Sequence, residues 1–484
     1  MKTQRASNTK FERDSHRRQR GRPGSALVIG GNISGLPVAP SGPNFRPSNV
    51  PNPSPDSPMR SIAILLALAA AAAPLAPVAT AQTPAPPTVI RAARMLDVVA
   101  GRMVANATVV VENGRISAVN PATMPRNAKV VDLGDVTLLP GFIDLHTHLS
   151  SEISAGAFTR AVTNTLADEA LGAAANGIKT VMAGFTTVRD FGGDATVALG
   201  HAVERGTLVG PRVVPARESI GITGGHCDVT GFAPGVREQL PEDGIGDGPW
   251  SVVRAVRYQI KHGAQVIKIC ATAGVLSLEG PVGAQQLADE ELQAIVAEAS
   301  RHGVRVAAHA HGNAGIKAAV RAGVTTIEHG SELDDEAIAL MKQRGTYLVP
   351  TTYLVDRINL AVLPPLVRSK AEQILPIARE SLRKAIGAGV KVAFGTDAGV
   401  YPHGENAREF ALYVKFGMTP LAALRAGTVV ATEALGRTDR GAIEAGKLAD
   451  LVAVPGDPLQ DITATERPSW VMLGGRVVKG AEPR

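Results

Sequence analysis

The sequence predicts an α/β protein, a (β/α)₈ TIM-like barrel with a small β-sandwich domain built from both chain ends. Three observations predict it. Eight short apolar runs alternate with helical periodicity over roughly 250 residues, as in a barrel of parallel strands and helices. Runs with β-hairpin patterning bracket this stretch on both sides. Titratable side chains recur where the apolar runs stop, the end of a barrel that carries chemistry.

The 484-residue chain is long enough for one large barrel or two to three ordinary domains. Residues 1–58 are rich in Pro, Ser, Asn and Gly and read as a disordered upstream extension. They hold nine Lys/Arg against three acids, so the net charge of +6 resides there and the remainder carries 41 residues of each sign. The folded part therefore has no basic excess with which to attract nucleic acid. Residues 59–81 run from Met59-Arg60 through a short apolar core to the small-residue pattern Val78-Ala-Thr-Ala-Gln82. This is a signal-peptide pattern with translation starting at Met59, which predicts a secreted or periplasmic protein free of the membrane after cleavage.

Residues 88–138 form the first part of the β-domain, where Asn113-Gly114 between Ala107–Glu112 and Arg115–Val119 marks a two-residue hairpin. Residues 139–436 form the barrel. Its expected strands are Gly141–His148, Thr186–Phe191, Arg212–Ile220, Gln265–Ala271, Arg305–His311, Thr325–His329, Tyr347–Tyr353 and Lys391–Asp397. Helical patterns such as Ala288–His302 and Asp335–Gln343 lie between them. Residues 437–484 complete the β-domain with Asp450–Val454 and Trp470–Val478. A single disulfide between Cys227 and Cys270 is open to an oxidising compartment, but a domain of this size does not need one, and both read as buried thiols.

His146 and His148 stand i, i+2 at the end of the first strand, so both imidazoles share one face and can ligate a divalent metal. Lys268 lies inside the apolar run Val266-Ile-Lys-Ile-Cys270, where a lysine needs a partner. His309, His329 and Asp397 end the runs beginning at Val306, Thr326 and Val392. Six such coincidences are far more specific than one His-x-His pair.

This order resembles the amidohydrolase superfamily with a two-metal centre over roughly residues 88–480. Ile222-Thr-Gly-Gly-His226, Lys268 to Ser277, Ala308-His-Ala-His-Gly312 and Gly395 to Gly404 resemble its imidazolonepropionase-like, Xaa-Pro-dipeptidase-like branch. That branch includes carboxypeptidases and the bacterial and fungal enzymes that split ochratoxin A into phenylalanine and ochratoxin α. The start at Met59 looks like the bacterial ochratoxin-degrading members. The resemblance implies that Lys268 is carboxylated by CO₂ and bridges two divalent metals, zinc by default. It places His146, His148 and Asp397 on one metal, and His309 with His329 on the other. Cys227-Asp228, after His226, departs from the expected small residue and leaves that wall of the site open. A homo-oligomer, as large as an octamer, is also implied.

The expected activity is metal-dependent release of a C-terminal amino acid from a small amide or short peptide. Asp397 is the expected general base and acid, and His226 the expected stabiliser of the oxyanion. His311, Arg189, Tyr353 and His403 are the expected substrate-binding residues, with Arg189 alternatively paired to a neighbouring acid and His311 alternatively a core histidine. Asp144 reads as a structural group in the barrel floor. Glu328, adjacent to His329 in a strand, is expected to point away from the metals. Cyclic-amide (lactam or imidazolone) hydrolysis on the same centre is the alternative reaction. An inactive binding protein of the same fold is the alternative of another class, and the retained ligand types argue against it.

Overall fold

The computed structural model describes residues 86–154, 156–480 and 482. The expected upstream extension and signal segment lie outside the described residues. The chain opens with strands Thr88–Asp97 (β1), Arg102–Glu112 (β2), Arg115–Val119 (β3), Lys129–Asp132 (β4) and Val136–Pro140 (β5). Between β2 and β3, Asn113 and Gly114 both adopt positive φ, 50° and 75°. This is the turn whose twist matches the flanking strands and which Asn-Gly favours.

The barrel follows with Phe142–Thr147 (β6), Phe185–Asp190 (β7), Arg212–Pro215 (β8), Val266–Cys270 (β9), Arg305–Ala310 (β10), Thr326–His329 (β11) and Tyr347–Val349 (β12). They form two parallel sheets, β6-β7-β8 and β12-β11-β10-β9. Backbone hydrogen bonds close the ring. Gln265 N donates to Pro215 O and Ile220 N to Lys268 O, both at 2.8 Å. On the other side Leu348 N donates to Lys391 O (2.9 Å), Leu145 N to Phe394 O (2.9 Å) and Asp397 N to His146 O (2.8 Å). Residues 391–398 thus fill the eighth place of the barrel, irregular in conformation but bonded on both sides.

Strands three and seven are shorter than expected, and residues of positive φ follow their ends. Arg217 (59°) follows β8 and Thr351 (51°) follows β12. Left-handed backbone breaks the pleat, so regular pairing stops before it.

Helices Leu166–Met182, Asp194–Glu204, Pro249–Lys261, Asp289–Arg301, Asn313–Ala322, Asp335–Arg344 and Pro365–Ala388 follow or lie between the strands. Alternate strand residues face them: Ile267, Ile269, Val306, Ala308 and Ile327 share one apolar core with Val256, Leu292, Ile316 and Met341. The remaining strand positions, Lys268 and His309 among them, are thereby turned into the barrel. None of the described helices is long and apolar enough to cross a membrane.

After the barrel, Leu451–Pro455 (β13), Trp470–Leu473 (β14) and Arg476–Lys479 (β15) return to the first sheet, where β13 pairs antiparallel with β5. The strand order is β15-β14-β13-β5-β1-β2-β3, with β4 also on β1. One continuous sheet therefore supplies both layers. It folds over Ile90, Val109, Leu138, Leu451, Trp470 and Met472, and residues 447–449 bridge β3 and the β14–β15 turn, where Ile116 N donates to Lys447 O and Gly475 N to Ala449 O. Pro140 still pairs with Leu451 while Phe142 opens β6, so the change of domain falls at Gly141, just past the expected boundary.

Candidate metal centre

His146 near the end of β6 is buried, and each of its ring nitrogens has a neighbour. Nδ1 lies 2.9 Å from Glu328 Oε2, while Nε2 lies 3.3 Å from Asp397 Oδ1 and 3.5 Å from Lys268 Nζ. Burial and the Lys268 charge lower its pKa to about 4, so the ring is neutral at pH 7. A neutral ring that donates from Nδ1 to Glu328 keeps its Nε2 lone pair for the centre. His148 Nε2 lies 3.1 Å from the same Asp397 oxygen. Burial raises the Asp397 pKa, but His146 and His148 outweigh it and hold the carboxyl well below the usual range.

Lys268 is buried on β9, its Nζ 4.1 Å from the centroid of Phe191. Burial lowers its pKa to about 8 against the pull of Glu328 and Asp397. The amine is thus far easier to deprotonate than an exposed lysine, as reaction with CO₂ requires. His309 on β10 and His311 just past its end line the same cavity, and His329 follows from β11. His311 Nδ1 meets Ser331 Oγ at 2.7 Å, and His329 Nδ1 meets Thr351 Oγ1 at 2.7 Å.

Two groups bring their donor atoms within 4.8 Å of one another, His146–His329–Asp397 and His309–His311–His329. His309 Nε2 is buried with no hydrogen-bond partner, a costly arrangement for a polar atom. A neutral nitrogen and carboxylate donor set with an unpartnered buried nitrogen fits divalent cations. By donor distance alone, His329 falls in both groups and His311 in the second.

The strand alternation that removes Glu328 from the centre does not hold. Its carboxylate is buried inside the barrel, bonded to His146 through Oε2 and to Arg189 Nη2 through Oε1 at 2.6 Å. The cause is the φ of 69° at His329, which swings that residue inward beside Glu328 instead of opposite it. Burial raises the Glu328 pKa, but Arg189 and His146 bring it down to about 2. Thr326-Ile-Glu-His329 did carry a signal: an acid inside an apolar run needs a buried cation, and Arg189 is that cation.

Arg189 accordingly is not among the residues that line the cavity. It is buried, its Nε donating to Leu145 O at 2.5 Å and its Nη1 to Thr326 Oγ1 at 3.0 Å. Tyr353 and His403 are likewise turned from the cavity. Tyr353 donates to Glu405 Oε2 at 2.7 Å, and His403 Nε2 bonds Ser151 O at 3.1 Å. Asp144 accepts from Thr396 Oγ1 (2.6 Å) and Asn406 Nδ2 (2.8 Å) in the barrel interior.

His226 does line the cavity, its Nδ1 2.7 Å from Ser277 Oγ and 3.3 Å from Glu279 Oε1. Its ring lies against Gly274, where a Cβ would come within 2.1 Å of it, so only glycine fits. Cys227 and Cys270 are not thiols but a disulfide. It ties the residue after His226 to β9 two residues beyond Lys268, a pairing that spacing along the chain did not reveal. The cavity over this centre measures about 340 Å³, with an apolar wall that includes Phe191, Val275, Leu354, Ile374 and Leu375.

The model of the amidohydrolase family matches residues 137–478. The ochratoxinase of Aspergillus niger is 34% identical over 368 residues, 71% of this chain and 76% of that protein. The imidazolonepropionase of Deinococcus radiodurans is 25% identical over 423 residues, 80% of this chain and 92% of that one. Among solved structures, a Xaa-Pro dipeptidase with methionine bound in its active site superposes with a TM-score of 0.78 at 37% identity, covering 81% of this chain and 100% of that one.

Proposed function

Since the chain belongs to the amidohydrolase family, we propose that it is a two-metal amide hydrolase releasing a C-terminal amino acid from short peptides and N-acyl amino acids, ochratoxin A among them. The single observation that carries this reading is the convergence of His146, His148, Lys268, His309, His329 and Asp397 on one cavity. Similarity to an ochratoxinase and to a Xaa-Pro dipeptidase supports the substrate class.

His146, His148, His329 and Asp397 would hold one divalent cation and His309, His311 and His329 the other, with carboxylated Lys268 between them. Such ions, zinc by ligand type, polarise a carbonyl and lower the pKa of water. Asp397 takes the proton of the attacking water and returns it to the leaving amine. His226 donates to the developing oxyanion, its ring fixed from behind by Ser277 and Glu279. The apolar wall excludes bulk water and seats an apolar side chain. Export from the cell and a homo-oligomeric state belong to the same proposal.

Metal analysis beside amino-acid release from a panel of N-acyl amino acids and dipeptides tests it. The expected result is about two equivalents of metal per chain and release that falls by about 10²–10⁴-fold in Asp397→Ala and Lys268→Ala. Full release by both variants, or a metal-free active preparation, would overturn it. Opening of a lactam or imidazolone ring with no free amino acid would favour the cyclic-amide reaction.

A further inference from the structure

Apart from Asp397, the acidic residue lining the cavity is Glu218, just beyond β8. Among the described residues no arginine lines it, and its lysine is Lys268. The cation nearest in sequence to Glu218 is committed elsewhere. The φ of 59° at Arg217 turns that side chain away, where it donates to Asp194 Oδ1 at 2.5 Å and Gln259 Oε1 at 2.7 Å and lies over the ring of Tyr258. Among the described residues Glu218 makes no hydrogen bond and no ion pair. Its carboxylate instead faces bare backbone at Gly193, where a Cβ would come within 2.8 Å of Oε1.

A mostly enclosed carboxylate that no cation contacts is costly to keep ionised. Burial and the nearby Asp194 push its pKa up to about 7 against the pull of Arg217. Every other acid of the barrel centre described above is supplied with donors: Asp144 by Thr396 and Asn406, Glu328 by Arg189 and His146, Glu279 by Ser277 and His226. Glu218 alone of these lines the substrate cavity with no hydrogen bond or ion pair of its own, the nearby Arg217 charge only partly offsetting its burial. Perturbed, unpaired acids in a cleft are where ligand charge is expected.

We infer that Glu218 is the cation-recognising group of the substrate site and takes an ammonium carried by the acyl half of the substrate. This rests on the proposed release of a C-terminal amino acid. That product carries a carboxylate, which Glu218 repels, so the positive charge belongs to the other half. The favoured substrates are therefore dipeptides with a free α-amine or a basic first side chain. A neutral acyl group such as that of an N-acyl amino acid forgoes the ion pair.

Three matched substrates test this on the metal-loaded enzyme: Ala-Phe, N-acetyl-Ala-Phe and N-acetyl-Lys-Phe. The wild type is expected to favour Ala-Phe over its acetylated form by about 10- to 100-fold in kcat/KM, through KM. N-acetyl-Lys-Phe separates the sources, recovering the preference if a side-chain ammonium serves as well as an α-amine. Glu218→Gln is expected to collapse the ratio between charged and neutral substrates toward one, and Glu218→Asp to restore part of it. An equal change on all three substrates in Glu218→Gln, or a wild type indifferent to the charge, would overturn the assignment while leaving the proposed reaction standing. Release of phenylalanine from none of the three would instead sink the proposed reaction, and this assignment with it.

Discussion

The β-domain and the barrel centre solve opposite packing problems. In the β-domain, Ile90, Val109, Leu138, Leu451, Trp470 and Met472 meet as an apolar core, and any residue of the right size and hydrophobicity could serve. In the barrel centre, Arg189, Glu328, His146 and Asp397 are equally buried but charged or polar. Each is tolerated only because a specific neighbour supplies the opposite charge or a hydrogen bond. The first region stores stability in area. The second stores geometry in a chain of pairs running from Arg189 through Glu328 to His146, and that chain fixes which nitrogen of His146 faces the site.

The contrast predicts that damage to the two regions separates stability from catalysis. Trp470→Ala should cost about 3–5 kcal/mol of unfolding free energy with kcat of the surviving folded enzyme nearly intact. Denaturant melts beside steady-state rates check this, and a large loss of kcat at unchanged stability would erase the distinction. Cys227→Ser, or chemical reduction, lies between the two regimes. The bond spans 43 residues, so its loss should cost about 2–4 kcal/mol. It should also lower kcat, because the freed segment carries His226. A reduced enzyme as stable and as fast as the oxidised one would show that the disulfide positions nothing. Glu328→Gln keeps the shape but leaves the buried Arg189 cation without its counter-charge, so it should cost about 3 kcal/mol of stability. The lost carboxylate should also lower kcat and metal affinity about 10- to 100-fold. Titration of bound metal in the variant checks this, and wild-type affinity would reduce Glu328 to packing.

Much of the centre was legible in the sequence because two periodicities converge. Strand alternation turns Lys268 and His309 inward, and barrel strands end on the chemical face, so His146, His148, His329 and Asp397 could be picked out by position alone. The same alternation misled at Glu328, where one left-handed residue, His329, carries both neighbours inward. Arg189, Tyr353 and His403 were assigned to substrate because they stand near strand ends. Their partners Glu328, Glu405 and Ser151 lie 139, 52 and 252 residues away in sequence, beyond any local pattern.

The sequence by itself determined the class of fold, the Asn113-Gly114 hairpin, and the side chains from which a metal centre can be built. These follow from local rules: backbone sterics, the two-residue period of strands, and the cost of burying a charge alone. The tertiary structure decided which charge answers which. It paired Glu328 with Arg189, closed Cys227 onto Cys270, and left Glu218 lining the cavity with no ion pair. Electrostatic and covalent pairing depend on distances across the barrel, and those are set only when all eight places of its wall close on one another.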